Sequence, residues 1–315
     1  MKQNQQTTLR AAVTLAGCGV HSGDEARIVL HPAEADHGIV FLRTGLPDGS
    51  DQLIDARHVS VCGTELCTVI GDRDNGAVAT IEHVMSALHG LGVDNVLVEV
   101  DAVEVPILDG SAAPFIDAID QVGVVTCGAP RRYLKVQQPV RVTQGRAYAE
   151  LRPDDNAFRL DVEIDFPNTL IGRQRRAFVL SAMAYRREVA RARTFGFMAD
   201  VERLWKAGFA LGASLENTVA IGTDGIVNPE GLRYPDEFVR HKMLDAIGDL
   251  ALAGYPILGA YRSFCGGHRL NIALLDALFS DRSNYAFVDG ASRRESGYAE
   301  IGGGIAAPAY APDVH

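Results

Sequence analysis

The chain is predicted to be an α+β protein built as two similar sheet-and-helix domains, and three observations lead there. Its 315 residues exceed what one apolar core usually serves, so two domains are the natural expectation. Short apolar runs followed by helical patterns occur in each half, an order that argues against a single doubly wound βαβ sheet. Between the halves, Thr126-Cys127-Gly128-Ala129-Pro130 breaks the pattern with glycine and proline, which places the boundary between domains 1–128 and 129–315.

Taken in order, the apolar runs at 9–15, 26–30, 38–42 and 95–100 read as strands. The stretch Thr80-Ile81-Glu82-His83-Val84-Met85-Ser86-Ala87-Leu88-His89-Gly90 reads as a helix, with Thr80 suited to cap its start and glycines at its far end. A turn at Asp109-Gly110-Ser111 leads into a second helix over 114–122 that stops at Gly123. In the second half, strands are expected near 133–142, 147–152 and 158–165, then a region of mixed signals, a helix from about Glu237, a strand over 257–264, and a helix from about Asn271 to Phe279. Residues 198–225 look like an insertion, helical over 200–207 and punctuated by Gly208, Gly212, Gly222 and Gly225 around the apolar run 218–221. The glycine-rich tail near 302–308 is flexible by composition and is given no function.

Composition excludes several classes of function. A net charge of −10 with scattered lysines and arginines makes a nucleic-acid partner unexpected, since a phosphate backbone calls for a basic face. The 5 cysteines are odd in number and include no C-x-x-C pair, so a disulfide framework or a thiolate zinc site is not expected. The polar N-terminus lacks a signal-peptide core, and no run approaches the ~18 apolar residues of a membrane span. The expectation is a cytoplasmic protein without stable membrane insertion.

Three segments hold the candidate chemistry. In Arg240-His241-Lys242-Met243-Leu244-Asp245-Ala246-Ile247-Gly248-Asp249, helical spacing puts His241, Asp245 and Asp249 on one stripe, opposite Met243, Leu244, Ile247 and Leu250. An imidazole and a carboxylate four residues apart can share a divalent ion, although most such stripes are solvated charged faces. Glu82-His83 and Cys265-Gly266-Gly267-His268 are the other two. With His83, His241 and Asp245 as ligands, Glu82 could hold the attacking water and His268 could be the acid of a zinc hydrolase. Each also has an ordinary reading: a charge favoured by the helix dipole for Glu82, a half-buried histidine for His83, a helix cap for His268. Spacing alone does not join them.

Longer blocks do. Thr80-Ile81-Glu82-His83-Val84, Gly92-Val93-Asp94-Asn95 and Glu104-Val105-Pro106-Ile107-Leu108-Asp109-Gly110-Ser111-Ala112-Ala113-Pro114-Phe115 strongly resemble the UDP-3-O-acyl-N-acetylglucosamine deacetylases, the zinc amidases of lipid A biosynthesis. So do Gly19-Val20-His21-Ser22-Gly23, Ala192-Arg193-Thr194-Phe195-Gly196-Phe197 and the block 238–249, and the likeness runs from about residue 8 to about residue 280.

The resemblance implies a fold, a reaction and roles. The fold would be a β-α-α-β sandwich of two similar domains with the active site between them and a βαβ insert in the second. His83, His241 and Asp245 would bind one catalytic Zn²⁺, with Fe²⁺ an alternative in the cell. Glu82 would be the general base and His268 the acid, kept charged by Asp249, while Thr194 and Lys242 would stabilise the oxyanion. The substrate would be a UDP-sugar carrying one hydroxyacyl chain, deacetylated with release of acetate. Val201, Ala213, Ser214, Thr218 and Ala220 of the insert match the lining of an apolar passage for that chain, where the alternative is ordinary core packing. Phe195 and Phe197 would pack on sugar or nucleotide, Lys242 would also touch substrate, and Cys67 matches a cysteine at the mouth of the site without being a nucleophile. One departure stands out: Cys265 occupies the place of a lysine common in the family, with Arg262 and Arg269 nearby, which leaves the diphosphate contact open. The protein is expected to be a monomer. Two rivals remain: a zinc amidase of another acetamido sugar, and a binding protein that keeps zinc as a structural staple.

Overall fold

The computed structural model describes residues 4–290 apart from 75, 168 and 169, so the tail at 302–308 lies outside the described residues. Six α-helices are described: α1 (Glu82–Leu91), α2 (Ala113–Val122), α3 (Ala182–Glu188), α4 (Val201–Lys206), α5 (Glu237–Ala251) and α6 (His268–Phe279).

The two halves repeat one pattern of pairing. In the first, hairpin strands Val13–Cys18 and Glu25–Pro32 are followed by Ile39–Arg43 and Gln52–Asp55, and the later strand Val96–Val100 inserts between the pairs. That strand runs antiparallel to Glu25–Pro32 and parallel to Ile39–Arg43. In the second half, Val140–Gln144, Ala147–Arg152, Phe158–Asp165 and Arg173–Val179 come first, and Ile257–Phe264 inserts antiparallel to the second and parallel to the third. Each inserted strand is flanked in sequence by two helices, α1 and α2 in one case, α5 and α6 in the other. The architecture is thus mixed α+β.

Helix α2 lies on strand Val13–Cys18 and on α1, α6 lies on strands Val140–Gln144 and Ala147–Arg152, and α1 packs along α5. Both partners of that pair are enclosed: in α5 every residue except Lys242 is buried, and in α1 every residue except His89. A helix buried all round is usually apolar all round, so the His and Asp stripe of α5 is no solvated face. Gly248 explains how the pair comes so close, because a Cβ there would run into the backbone carbonyl of Glu82.

Several local expectations are corrected. The run at 9–15 is two strands, Gln5–Leu9 and Val13–Cys18, separated by a bend. The glycine-proline stretch at 126–130 does not break the strand pattern; it belongs to strand Val124–Pro130, which pairs with Gln5–Leu9 and passes Gly128 at φ +75°. Thr80 does not cap α1. It sits at φ +58° and donates its hydroxyl to Glu104 at 2.7 Å, while the N-cap position is Ile81. Helix α6 starts at His268, a turn earlier than the sequence indicated. At the insertion, Phe195–Phe197 just before it and Val219–Ile221 within it pair in parallel across the intervening α4, a short βαβ unit.

Candidate metal centre

Helices α1 and α5 each bring ligand-type atoms to one place. His83, His241 and Asp245 are 3%, 2% and 3% exposed, and one ligating atom from each lies within 4.8 Å of the other two. Asp245 Oδ1 is 3.3 Å from His241 Nε2 and 3.8 Å from His83 Nε2. His241 Nδ1 donates to the carbonyl of Ala192 at 3.0 Å, and because a carbonyl can only accept, its Nε2 keeps the lone pair that faces the cluster. Burial pushes His83 down to about 3, with His241 adding to the effect, and burial likewise lowers His241. Burial alone would raise Asp245, yet His241, Lys242 and His268 together hold it below the usual carboxylate range. Two neutral imidazoles and one carboxylate are the protonation states a divalent cation requires, and three protein ligands of N and O type fit a catalytic zinc site.

A second group lies against the first. Glu82, 3% exposed, accepts from the backbone N–H of Thr68 at 3.1 Å and approaches His268 Nε2 to 3.9 Å. Burial pushes its carboxyl up to about 7, opposed by His268 and reinforced by Asp249 and Asp245. His268 Nδ1 is 2.9 Å from Asp249 Oδ2. Burial would lower this imidazole, but Asp249 and then Glu82 outweigh it and hold it up at about 9. At neutral pH one group can therefore take a proton while its neighbour carries one to give.

Asp249 is itself fully enclosed and held on both oxygens, by the Thr68 hydroxyl at 2.6 Å and by Asn271 Nδ2 at 2.8 Å, whose Oδ1 in turn accepts from Tyr261 at 2.6 Å. Thr68, Asn271 and Tyr261 are functional neighbours that the sequence reading missed. Only Asn271 left a trace, three residues after His268 on the same helix face. Glu104 was also missed: it accepts from the backbone N–H of His21 and Ser22, and so fixes the 19–23 loop beside the site.

The remaining candidates divide. Lys242 Nζ donates to Asp245 Oδ2 at 2.9 Å and lies 5.5 Å over the Phe195 ring, so its charge is at the cluster but already engaged. Phe195 also meets His241 at 6.2 Å and Phe238 at 4.9 Å between ring centroids, and Phe197 packs near Phe166. Thr194 is half-buried, two residues beyond the carbonyl that orients His241, and its N–H donates to Gly110 at 2.8 Å. Cys67 is buried beside Thr68; burial, then Glu82, push its thiol up to about 12, which leaves it protonated and unreactive. In the insertion, Val201 opens α4, Ala213 and Ser214 are exposed, and Thr218 donates its hydroxyl to Asn217 at 2.9 Å. Among the described residues, no hydrogen bond or ion pair joins these four to the His and Asp cluster. The insertion meets the 19–23 loop through its backbone, where Leu211 and Gly212 donate to the carbonyls of His21 and Val20. A cavity of about 490 Å³, lined by Arg57, His89, Arg131 and Tyr255 among others, lies at the C-terminal ends of α1 and α5 and includes none of the candidate residues.

Comparison with known proteins gives the family. Residues 6–280 match the family described as LpxC, UDP-3-O-acyl N-acetylglycosamine deacetylase. The UDP-3-O-acyl-N-acetylglucosamine deacetylases of Brucella ovis and Brucella canis are each 51% identical over 286 residues, covering 90% of this chain and 98% of the relative. That of Brucella melitensis biotype 2 matches to the same extent. The chain belongs to the UDP-3-O-acyl N-acetylglycosamine deacetylase family.

Proposed function

We propose that this chain removes the N-acetyl group of UDP-3-O-(3-hydroxyacyl)-N-acetylglucosamine, giving the free amine and acetate, the committed step of lipid A biosynthesis. The observation that carries the reading is the junction of a buried His83, His241 and Asp245 triad with a Glu82 and His268 pair whose proton affinities are split. Two α+β domains, 1–128 and 129–315, would face each other as a β-α-α-β sandwich and contribute His83 and the His241 and Asp245 pair respectively. Zn²⁺ is the metal that this donor set suits, and Fe²⁺ would bind it as well.

The metal, when bound, supplies Lewis-acid polarisation of water and of the acetamide carbonyl. Glu82 takes the proton of the attacking water; an affinity near neutrality suits that task. Thr194 and Lys242 receive the charge that develops on the carbonyl oxygen. His268 gives its proton to the departing nitrogen, and Asp249 keeps the imidazolium charged and aimed. The insertion at 198–225 would shield the acyl chain, with Val201, Ala213, Ser214, Thr218 and Ala220 lining its path, and Phe195, Phe197 and Cys67 would border the sugar. No described helix is long and apolar enough to cross a membrane, and we place the enzyme in the cytoplasm as a monomer.

Acetate release from the acylated UDP-sugar, measured with metal analysis, tests the whole reading. Stoichiometric zinc, turnover, and a ~10²- to 10⁴-fold loss in Glu82→Ala are expected. Stoichiometric zinc without acetate release, or full activity in Glu82→Ala, would refute it and favour a binding protein with a structural metal.

A further inference from the structure

We propose that Glu237 is a positioning residue, which acts through Arg193 to place both Thr194 and the His241 ring. Glu237 stands in the first turn of α5, one helical turn before His241, and is wholly enclosed. Its Oε1 accepts from the backbone N–H and from the Nε of Arg193, each at 3.0 Å, and its Oε2 accepts from the backbone N–H of Arg233 at 2.6 Å. Arg193 is only 1% exposed, and its outer nitrogens reach the Gly231 carbonyl at 2.7 Å and the carboxylate of Glu230.

What this pair holds decides its meaning. On one side of Arg193, the Ala192 carbonyl fixes the ring of His241. On the other, Thr194 is tied through its N–H to Gly110 and through its carbonyl to Val219, both at 2.8 Å. Arg233, seated on the same carboxylate, extends to Asp109 at 2.8 Å and to the Arg191 carbonyl at 3.1 Å. One buried carboxylate on the ligand-bearing helix therefore clamps a three-residue segment that meets a metal ligand at one end and carries the proposed oxyanion residue at the other. Stability alone is a poor reason for such a pair, because a buried ion pair often contributes no more than a well-packed apolar replacement. Groups that orient metal ligands from behind, by contrast, commonly change metal affinity or activity by about 10- to 100-fold when altered.

The inference rests on the roles proposed above for Thr194 and the zinc ligands. Its test is a double-mutant cycle of Glu237→Gln with Thr194→Ala, read as kcat and KM for acetate release, with zinc affinity measured by chelator competition. The expected result is a kcat lower by about 10- to 100-fold at a KM within about threefold, and zinc affinity lower by about tenfold. In the Thr194→Ala background the kcat penalty should shrink to within about threefold, because coupled sites are not additive. Glu230→Ala, which removes an exposed carboxylate that meets Arg193 at its outer end and Asn228, should leave kcat within about twofold. Should Glu237→Gln fail to fold, Glu237→Asp keeps the charge with a shorter reach and should show the same signature more weakly. An additive cycle, an unchanged zinc affinity, or an equal loss in Glu230→Ala overturns the proposal. If wild-type protein released no acetate, the functional reading would fall, while the zinc measurement would still judge the clamp.

Discussion

At the scale of single residues, the site works by giving neighbouring groups opposite environments. Asp249 raises the proton affinity of His268, and as the proposed acid this imidazole would be useful only below its own pKa. The sign follows: with the proposed base Glu82 pushed up to about 7 and the imidazole held up at about 9, activity should rise as pH passes 7, level off between the two values and fall as pH rises past 9. Asp249→Asn keeps the shape and the Thr68 contact but removes the charge, so the alkaline limb should move down by a unit or more and kcat at pH 8 should drop about 10²-fold. A pH profile of kcat checks this, and an unmoved alkaline limb in the variant would show that another group sets it. His241, Asp245 and Asp249 became candidates because they share one helical stripe, and Glu82 because it adjoins His83, but it was the resemblance of longer blocks that joined them with His268. Thr68, Tyr261 and Glu237 could not, since their meaning arises only where distant segments meet and satisfy one another's buried polar atoms.

At the scale of elements, what could be read tracks where burial imposes a period. The strands Glu25–Pro32, Val96–Val100 and Ile257–Phe264 are apolar runs because they sit inside sheets, whereas Arg173–Val179 escaped notice. It is an edge strand whose outward arginines pair with Asp161 and Glu163 on its neighbour, a charged pattern that reads as loop. Helices α1 and α5 announced themselves by period, but their closeness depends on one atom that is missing. Gly248→Ala should gain up to ~1 kcal/mol of helix propensity and lose more, about 1–3 kcal/mol, to the collision with the Glu82 carbonyl. Thermal melting should show net destabilisation, and zinc content should fall because the two helices that carry the proposed ligands are forced apart; a melt at or above wild type would mean the helices yield freely. For the insertion, Ala213→Trp should depress activity on the long-chain acyl substrate at least tenfold while sparing a short-chain analogue, if this loop borders the acyl passage. Equal losses on both substrates would assign the loop another role.

At the scale of the whole molecule, two copies of one strand-and-helix pattern each present the start of a central helix to the same point. The order of elements was legible as two similar halves, but the pairing was not, because in each half a late strand inserts between two earlier hairpins and no local signal encodes that. The arrangement has a thermodynamic consequence. A metal held, as proposed, by His83 from one half and by His241 and Asp245 from the other would bind the native chain and find no comparable site in the unfolded one, where His83 lies far in sequence from the other two. Ligation of the native state alone stabilises by about 4 kcal/mol at a free metal concentration a thousandfold above Kd. At roughly 2–4 °C per kcal/mol for a chain somewhat shorter than this, removal of the metal should lower Tm by about 5–15 °C. Stripping the protein with a strong chelator and adding back Zn²⁺ should lower and then restore the melting temperature. His83→Ala should already melt near the stripped value and respond to neither treatment, because two ligands from α5 alone leave the ion poorly held. A wild-type melting curve indifferent to chelation would mean that the halves are joined by their apolar helix contacts alone, and a His83→Ala protein that keeps stoichiometric zinc would place the metal elsewhere.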